Sequence, residues 1–141
     1  MGRPSIKLVS MAYLKPPWFT AKIFNPIAMA TGMSNVETLT LTKRSTKQAQ
    51  KIPVVTVEVD GVKYLVSTRG ESQWVKNVRA NPQVSIATKA GTVHYVAAET
   101  PVQDRRTILD AYKVKAGKVV EGYFEKLPDP ADHPVFALRP A

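Results

Sequence analysis

The stretch VVTVEVDGVKYLVS, residues 54–67, decides the fold. Val54, Val55, Val57 and Val59 read as one strand, Asp60-Gly61 as a turn, and the run after it as a second strand. Both residues of a two-residue hairpin turn must accept positive φ, which Asp-Gly does, so the stretch predicts an antiparallel pair. Upstream, from Glu37, Leu39 and Leu41 alternate with Thr38, Thr40 and Thr42, the period-two pattern of a strand with one buried face. Downstream, QVSIATK (83–89) and TVHYVAAE (92–99) flank Ala90-Gly91 as a second hairpin, and VFALRP (135–140) is a last strand. About six antiparallel strands with few helices in 141 residues point to a mainly β fold. A closed or partly closed barrel with peripheral helices is expected, because closure removes exposed strand edges.

The helices are read from their end signals. SQWVKNVRANP (72–82) predicts a short helix capped by Ser72 and ended at Asn81-Pro82. Thr100 with Gln103 has the spacing of a capping box, and Pro101 takes the first helical position of a helix running through DRRTILDAYKVKA (104–116) to Gly117. Residues 1–33 are expected to form an N-terminal helical segment, with Ile6, Val9 and Tyr13 at helix spacing and a break at Pro16-Pro17. One domain over residues 1–141 is expected, since a chain of this length buries roughly two-thirds of its unfolded surface without disulfides or structural metal.

Composition removes several chemistries. The chain has no cysteine, so thiol nucleophiles, disulfides and cysteine zinc sites are excluded, and a reducing, cytoplasmic setting is expected. Redox work would then need a bound cofactor. His94 and His133 are the two histidines; neither has a second histidine or a carboxylate at ligating spacing, so no metal site is predicted. No Ser/His/Asp elbow, GxGxxG or Walker pattern is present. The apolar run LVSMAYL (8–14) is too short for a leader or a membrane span.

Charge is the positive signal. The formal charge is +9, and residues 1–51 carry eight Lys/Arg against the single acid Glu37. Such asymmetry attracts an anion: a phosphorylated cofactor, a nucleic acid or a lipid surface. Between the first two strands, KRSTKQAQK (43–51) concentrates Lys43, Arg44, Lys47 and Lys51 beside Ser45, Thr46, Gln48 and Gln50. Arg44 is suited to clasp phosphate through two parallel donors, with the lysines as compact charges. Residues 38–55 contain no aromatic on which a base would stack, which argues against nucleic acid.

The run from TLTLTKRSTKQAQKIPVV (38–55) through DGVKYLVSTRGESQWVKNVRANPQVSI (60–86) resembles the deazaflavin-dependent nitroreductase family, reductases that use coenzyme F420. The resemblance spans roughly residues 20–140, and its most specific part is YLVSTRGESQWVKNVRANP (64–82). It implies a split β-barrel of the FMN-binding kind, with the deazaflavin ring in a groove and its phosphate and acidic tail at the cationic loop. The family loop resembles Gly-Arg-Lys-Ser/Thr-Gly; here Arg44 and Thr46 match, while both glycine positions are lysine, Lys43 and Lys47. Lysine takes positive φ less readily than glycine. A later basic position is Gln50, with Lys51 adjacent as a substitute. By the same resemblance Pro53 and Val54 lie beside the ring, Ser67, Thr68, Arg69 and Gly70 contact ring and phosphate, and Trp74 and Asn77 border the cofactor.

The expected reaction is hydride transfer from reduced deazaflavin to an apolar, electron-poor acceptor: a quinone, a nitroaromatic or an unsaturated carbonyl. Tyr123 is the candidate catalytic hydroxyl, able to protonate or polarise the acceptor oxygen, and Trp18, Phe19 and Phe124 are candidate walls of the acceptor pocket. Core packing is an equal alternative for these aromatics. FMN as cofactor, and a non-catalytic lipid-binding barrel with a basic N-terminus at a membrane surface, stay open. So does a homodimer.

Overall fold

The computed structural model describes residues 36–141. The N-terminal segment 1–33, with Trp18, Phe19 and the membrane-contact expectation attached to it, lies outside the described residues. Within them the chain forms β1 (Glu37–Thr42), β2 (Ala49–Val54), β3 (Val57–Val59), β4 (Val62–Val66), α1 (Gln73–Ala80), β5 (Gln83–Thr88), β6 (Gly91–Glu99), α2 (Arg105–Ala116), α3 (Glu121–Lys126) and β7 (Val135–Pro140). The seven strands make one antiparallel sheet in the order β2-β1-β5-β6-β7-β4-β3.

The strand count exceeds the expected six because the run after the basic loop is two strands. β2 folds back on β1, setting Lys51 opposite Thr40, and β3 begins afresh beyond Thr56 to pair with β4 through the Asp60-Gly61 turn. Pro53 sits inside β2 without cost to the ladder because β2 is an edge of the sheet. Both edges, β2 and β3, come from adjacent chain segments, so the sheet curls toward closure and splits between them. Across that split Glu37 of β1 accepts hydrogen bonds from Lys63 of β4 (3.0 Å) and from Thr56 Oγ1 (2.8 Å).

Two cores share the sheet. Inside the barrel Leu39, Leu41, Leu65, Val84, Ile86, Phe136 and Leu138 surround Val75 and Val78 of α1, which plugs the interior. On the other face Val57, Val66 and Val135 pack under Ile108, Leu109 and Tyr112 of α2 and Phe124 of α3. Leu65 and Val66, like Val135 and Phe136, are sequence neighbours on opposite faces, as the period of two requires.

Two helix starts differ from expectation. Ser72 takes the N-cap position of α1, but its hydroxyl makes no cap and is buried without a hydrogen-bond partner. At α2 the Thr100/Gln103 box does not form: Pro101 precedes a 3-10 turn, Val102–Asp104, and the α-helix starts at Arg105. The reason is Thr100, whose N–H donates to Val135 O (2.7 Å) and whose carbonyl accepts from Arg105 Nε (2.9 Å), so it remains committed to the sheet. Gly117, at φ 79°, ends α2 as expected.

Candidate cofactor site

The basic stretch is the tip of the β1–β2 hairpin. Its turn is closed by Lys43 N–H to Gln48 O (2.8 Å) and Lys47 N–H to Lys43 O (2.9 Å), with Thr46 Oγ1 accepting from Gln48 N–H (3.3 Å). Lys47 has φ 65°, the left-handed conformation that glycine adopts freely. The backbone turn expected of a glycine is therefore made by a lysine, and Lys47 is fully exposed.

Arg44, although exposed, lies along α1. Its Nη1 donates to Asn77 Oδ1 (2.7 Å) and to Gln73 O (3.4 Å), its Nη2 to Gln73 Oε1 (2.8 Å), and its backbone N–H to Asn77 Oδ1 (3.1 Å). Asn77, 5% exposed, uses its amide nitrogen on Gln50 Oε1 (3.4 Å). One buried asparagine thus ties loop, helix and β2 together. Gln73 was not singled out from the sequence, although its i, i+4 spacing from Asn77 places both on one helix face.

Strand alternation separates the remaining loop candidates. Gln50, Ile52 and Val54 face α1, and Ile52, Val54 and Trp74 pack on the barrel core. Lys51 and Pro53 have the opposite parity, so Lys51 does not replace Gln50 on the α1 face. Trp74 is half-buried with its ring 6.0 Å from that of Phe136, tilted by 54°, and so also anchors α1 to the barrel.

A second group surrounds the turn between β4 and α1. Ser67, Thr68 and Gly70 are buried; Ser67 Oγ donates to Gly70 O (2.5 Å), and Gly70 needs its φ of 90° for the turn. The guanidinium of Arg69 lies 5.9 Å from the ring centroid of Tyr123, which brings the α3 tyrosine to this loop. Phe124, the next residue, is more deeply buried. It is buried against Tyr112 and stacks on His133 (centroids 4.3 Å apart), so it packs in the α2–α3 core. His133 sits in the Pro-rich turn but is fully buried, a role that its flanking prolines hid from the sequence.

An open hollow of about 390 Å³ lies on the outer face of β1, β5 and β6, bordered by Thr40, Thr42, Ser85 and His94. No residue named above as a cofactor or acceptor candidate lines it. Among the described residues no group of His, Asp and Glu is placed to hold a metal, and no helix is long and apolar enough to cross a membrane.

A seven-stranded antiparallel sheet curled into a split barrel around a plugging helix defines the fold class: the split β-barrel. The F420H(2)-dependent quinone reductase family matches residues 21–124. Among solved structures the fold is similar to an F420-H2 dependent reductase, FDR-A (23% identity, 75% of this chain and 95% of that one, TM-score 0.59). It is also similar to a chain described as a domain-swapped dimer (20%, 75% and 81%, TM-score 0.58) and to HutZ, a heme storage protein from Vibrio cholerae (15%, 82% and 87%, TM-score 0.56). No curated protein matches. The chain belongs to the F420H2-dependent quinone reductase family: it is an F420-dependent oxidoreductase, and its cofactor is coenzyme F420.

Proposed function

We propose that this reductase passes a hydride from reduced F420 to an apolar, electron-poor acceptor of the quinone kind, with the 43–51 loop holding the coenzyme's anionic end. The observation that carries the reading is Lys47: its positive φ preserves the loop backbone that glycine would give while adding a cation at the tip. The donor set fits the group. Lys43 and Lys47 present charge on a turn whose position Arg44 fixes through Asn77 and Gln73. Arg44 then acts on the coenzyme through the loop that it anchors, and the direct charge comes from lysine.

When bound, reduced deazaflavin supplies the hydride. The chain's own residues orient it and exclude water. Trp74, Ile52 and Val54 form an apolar border between α1 and β2, and the 67–70 loop provides backbone and hydroxyl groups just before the N-terminus of α1. A quinone that accepts a hydride needs a proton to become a hydroquinone; the Tyr123 hydroxyl, held beside the 67–70 loop by the Arg69 contact, is the group assigned to give or polarise it. An unsaturated carbonyl needs the same two steps, whereas a nitro group reduced to nitroso takes one hydride and one proton and also releases water. A dimer also fits the reading, because a structure of this fold is described as a domain-swapped dimer.

Titration with F420 and with FMN, followed by tryptophan fluorescence, tests the proposal. F420 should saturate the response, and Lys47→Glu should weaken F420 by about tenfold and FMN clearly less, since F420 carries the longer anionic tail. Lys51→Glu, on the other face of β2, should cost less than Lys47→Glu. Equal losses for the two ligands, or no saturable F420 response, would refute the assignment of the loop.

A further inference from the structure

His133 is buried completely, and no part of the reaction described above uses it. Its ring stacks on Phe124, and its two nitrogens face two backbone carbonyls from distant parts of the chain. Nδ1 lies 2.9 Å from Ser67 O, and Nε2 lies 2.5 Å from Leu127 O. Carbonyl oxygens only accept, so a bond to either is made through a ring N–H; the neutral ring carries one, and the tautomer with the proton on Nδ1 gives it to Ser67. Ser67 opens the 67–70 loop, and Leu127 follows α3, the helix that carries Tyr123. The chain on either side of the ring is fixed as well: Ser67 N–H donates to Pro134 O (2.9 Å), and His133 O accepts from the buried Arg105 (3.3 Å).

We infer that His133 is a positioning residue, a strut that sets the 67–70 loop against the end of α3 and so fixes the separation between the coenzyme-facing loop and Tyr123. The inference rests on the functional reading above for what that loop binds, and on geometry alone for the strut. A structural histidine needing only burial would be served by its stack on Phe124. Here the polar edge of the ring is spent on the loop at one end and on the helix terminus at the other, and each of these two segments carries a residue assigned to the reaction.

Three substitutions separate positioning from packing. The side-chain nitrogen of His133→Asn falls near Nδ1 and keeps a donor for Ser67; that of His133→Gln falls near Nε2 and faces Leu127; His133→Phe keeps the stack and loses both ring nitrogens. All three should lower the thermal midpoint. His133→Asn should hold F420 within about threefold of wild type, whereas His133→Gln and His133→Phe should weaken it by about tenfold, the loss of one ordering hydrogen bond. In the same two variants, without ligand, amide exchange at residues 67–70 should speed up by about tenfold. Affinity and exchange that follow thermal stability, and not the donor to Ser67, would overturn the inference. If wild type binds no F420, the functional reading fails and the exchange arm alone decides this one. If the variants do not fold, wild-type NMR decides: a ring N–H of His133 coupled to the Ser67 carbonyl carbon is expected, and its absence would overturn the strut.

Discussion

At the scale of single residues, Lys47 and Arg44 sit differently in one turn. A non-glycine residue in the left-handed region costs about 1 kcal/mol, and Lys47 bears that cost at φ 65° in an exposed turn. Replacing it with glycine should therefore raise unfolding stability by about 0.5–1 kcal/mol in chemical denaturation. The same change removes a cation, so F420 affinity should fall while stability rises. Opposite signs in one variant would show that the lysine is retained for charge. Arg44 works the other way: its guanidinium is spent on Asn77 and Gln73, and the charge best suited to a bidentate phosphate grip serves as the anchor of the loop. The basic stretch was legible in the sequence as a charge cluster, but not which cation bonds to α1, because that depends on where α1 lies relative to the hairpin tip.

At the scale of elements, an ion network fastens α1 to the sheet and to α2. Arg79 on α1 donates to Glu71 (2.5 Å) and to Glu99 of β6 (2.7 Å), and Glu99 also meets Arg105 of α2 at 3.3 Å. Hydrogen bonds from Arg79 hold the Glu99 carboxyl below the ordinary carboxylate range, with the charges of Arg79 and Arg105 adding to them against the opposing effect of burial. A lowered folded-state value means that the stabilisation is complete above the unfolded carboxylate value, near pH 4.3, and is lost as pH falls through the lower folded one. Wild type should thus lose stability on acidification below about pH 5, and Glu99→Gln should be less stable at pH 7 by about 1 kcal/mol with a flatter acid limb, as read from urea midpoints between pH 3 and pH 7. Arg105, 5% exposed, shows why the expected capping box at α2 fails. Thr100 O, Pro130 O, His133 O and Glu99 all accept from its guanidinium, and this holds Thr100 in the strand that leads to the helix.

At the scale of the whole molecule, β4 and β7 join two cores that would otherwise be separate, since each alternates its side chains between the barrel interior and the α2–α3 layer. Leu39→Ala in the barrel and Leu109→Ala under α2 should each cost about 3 kcal/mol and lower one common transition. Two resolved transitions in calorimetry would contradict that coupling. The sequence alone determined most of the strands and two of the hairpins, because alternation and short turns such as Asp60-Gly61 are local and a one-residue slip would expose a whole face. It likewise determined the cationic tip, whose members are adjacent in the chain, and, through its resemblance, the family and the coenzyme. The tertiary structure alone decided that the run after the loop is two strands, that Lys51 faces away from Gln50, that Phe124 belongs to the core, and that His133 reaches Ser67. Each of these depends on contacts between segments far apart in sequence, and the curvature of the sheet, which no local pattern encodes, sets which segments meet.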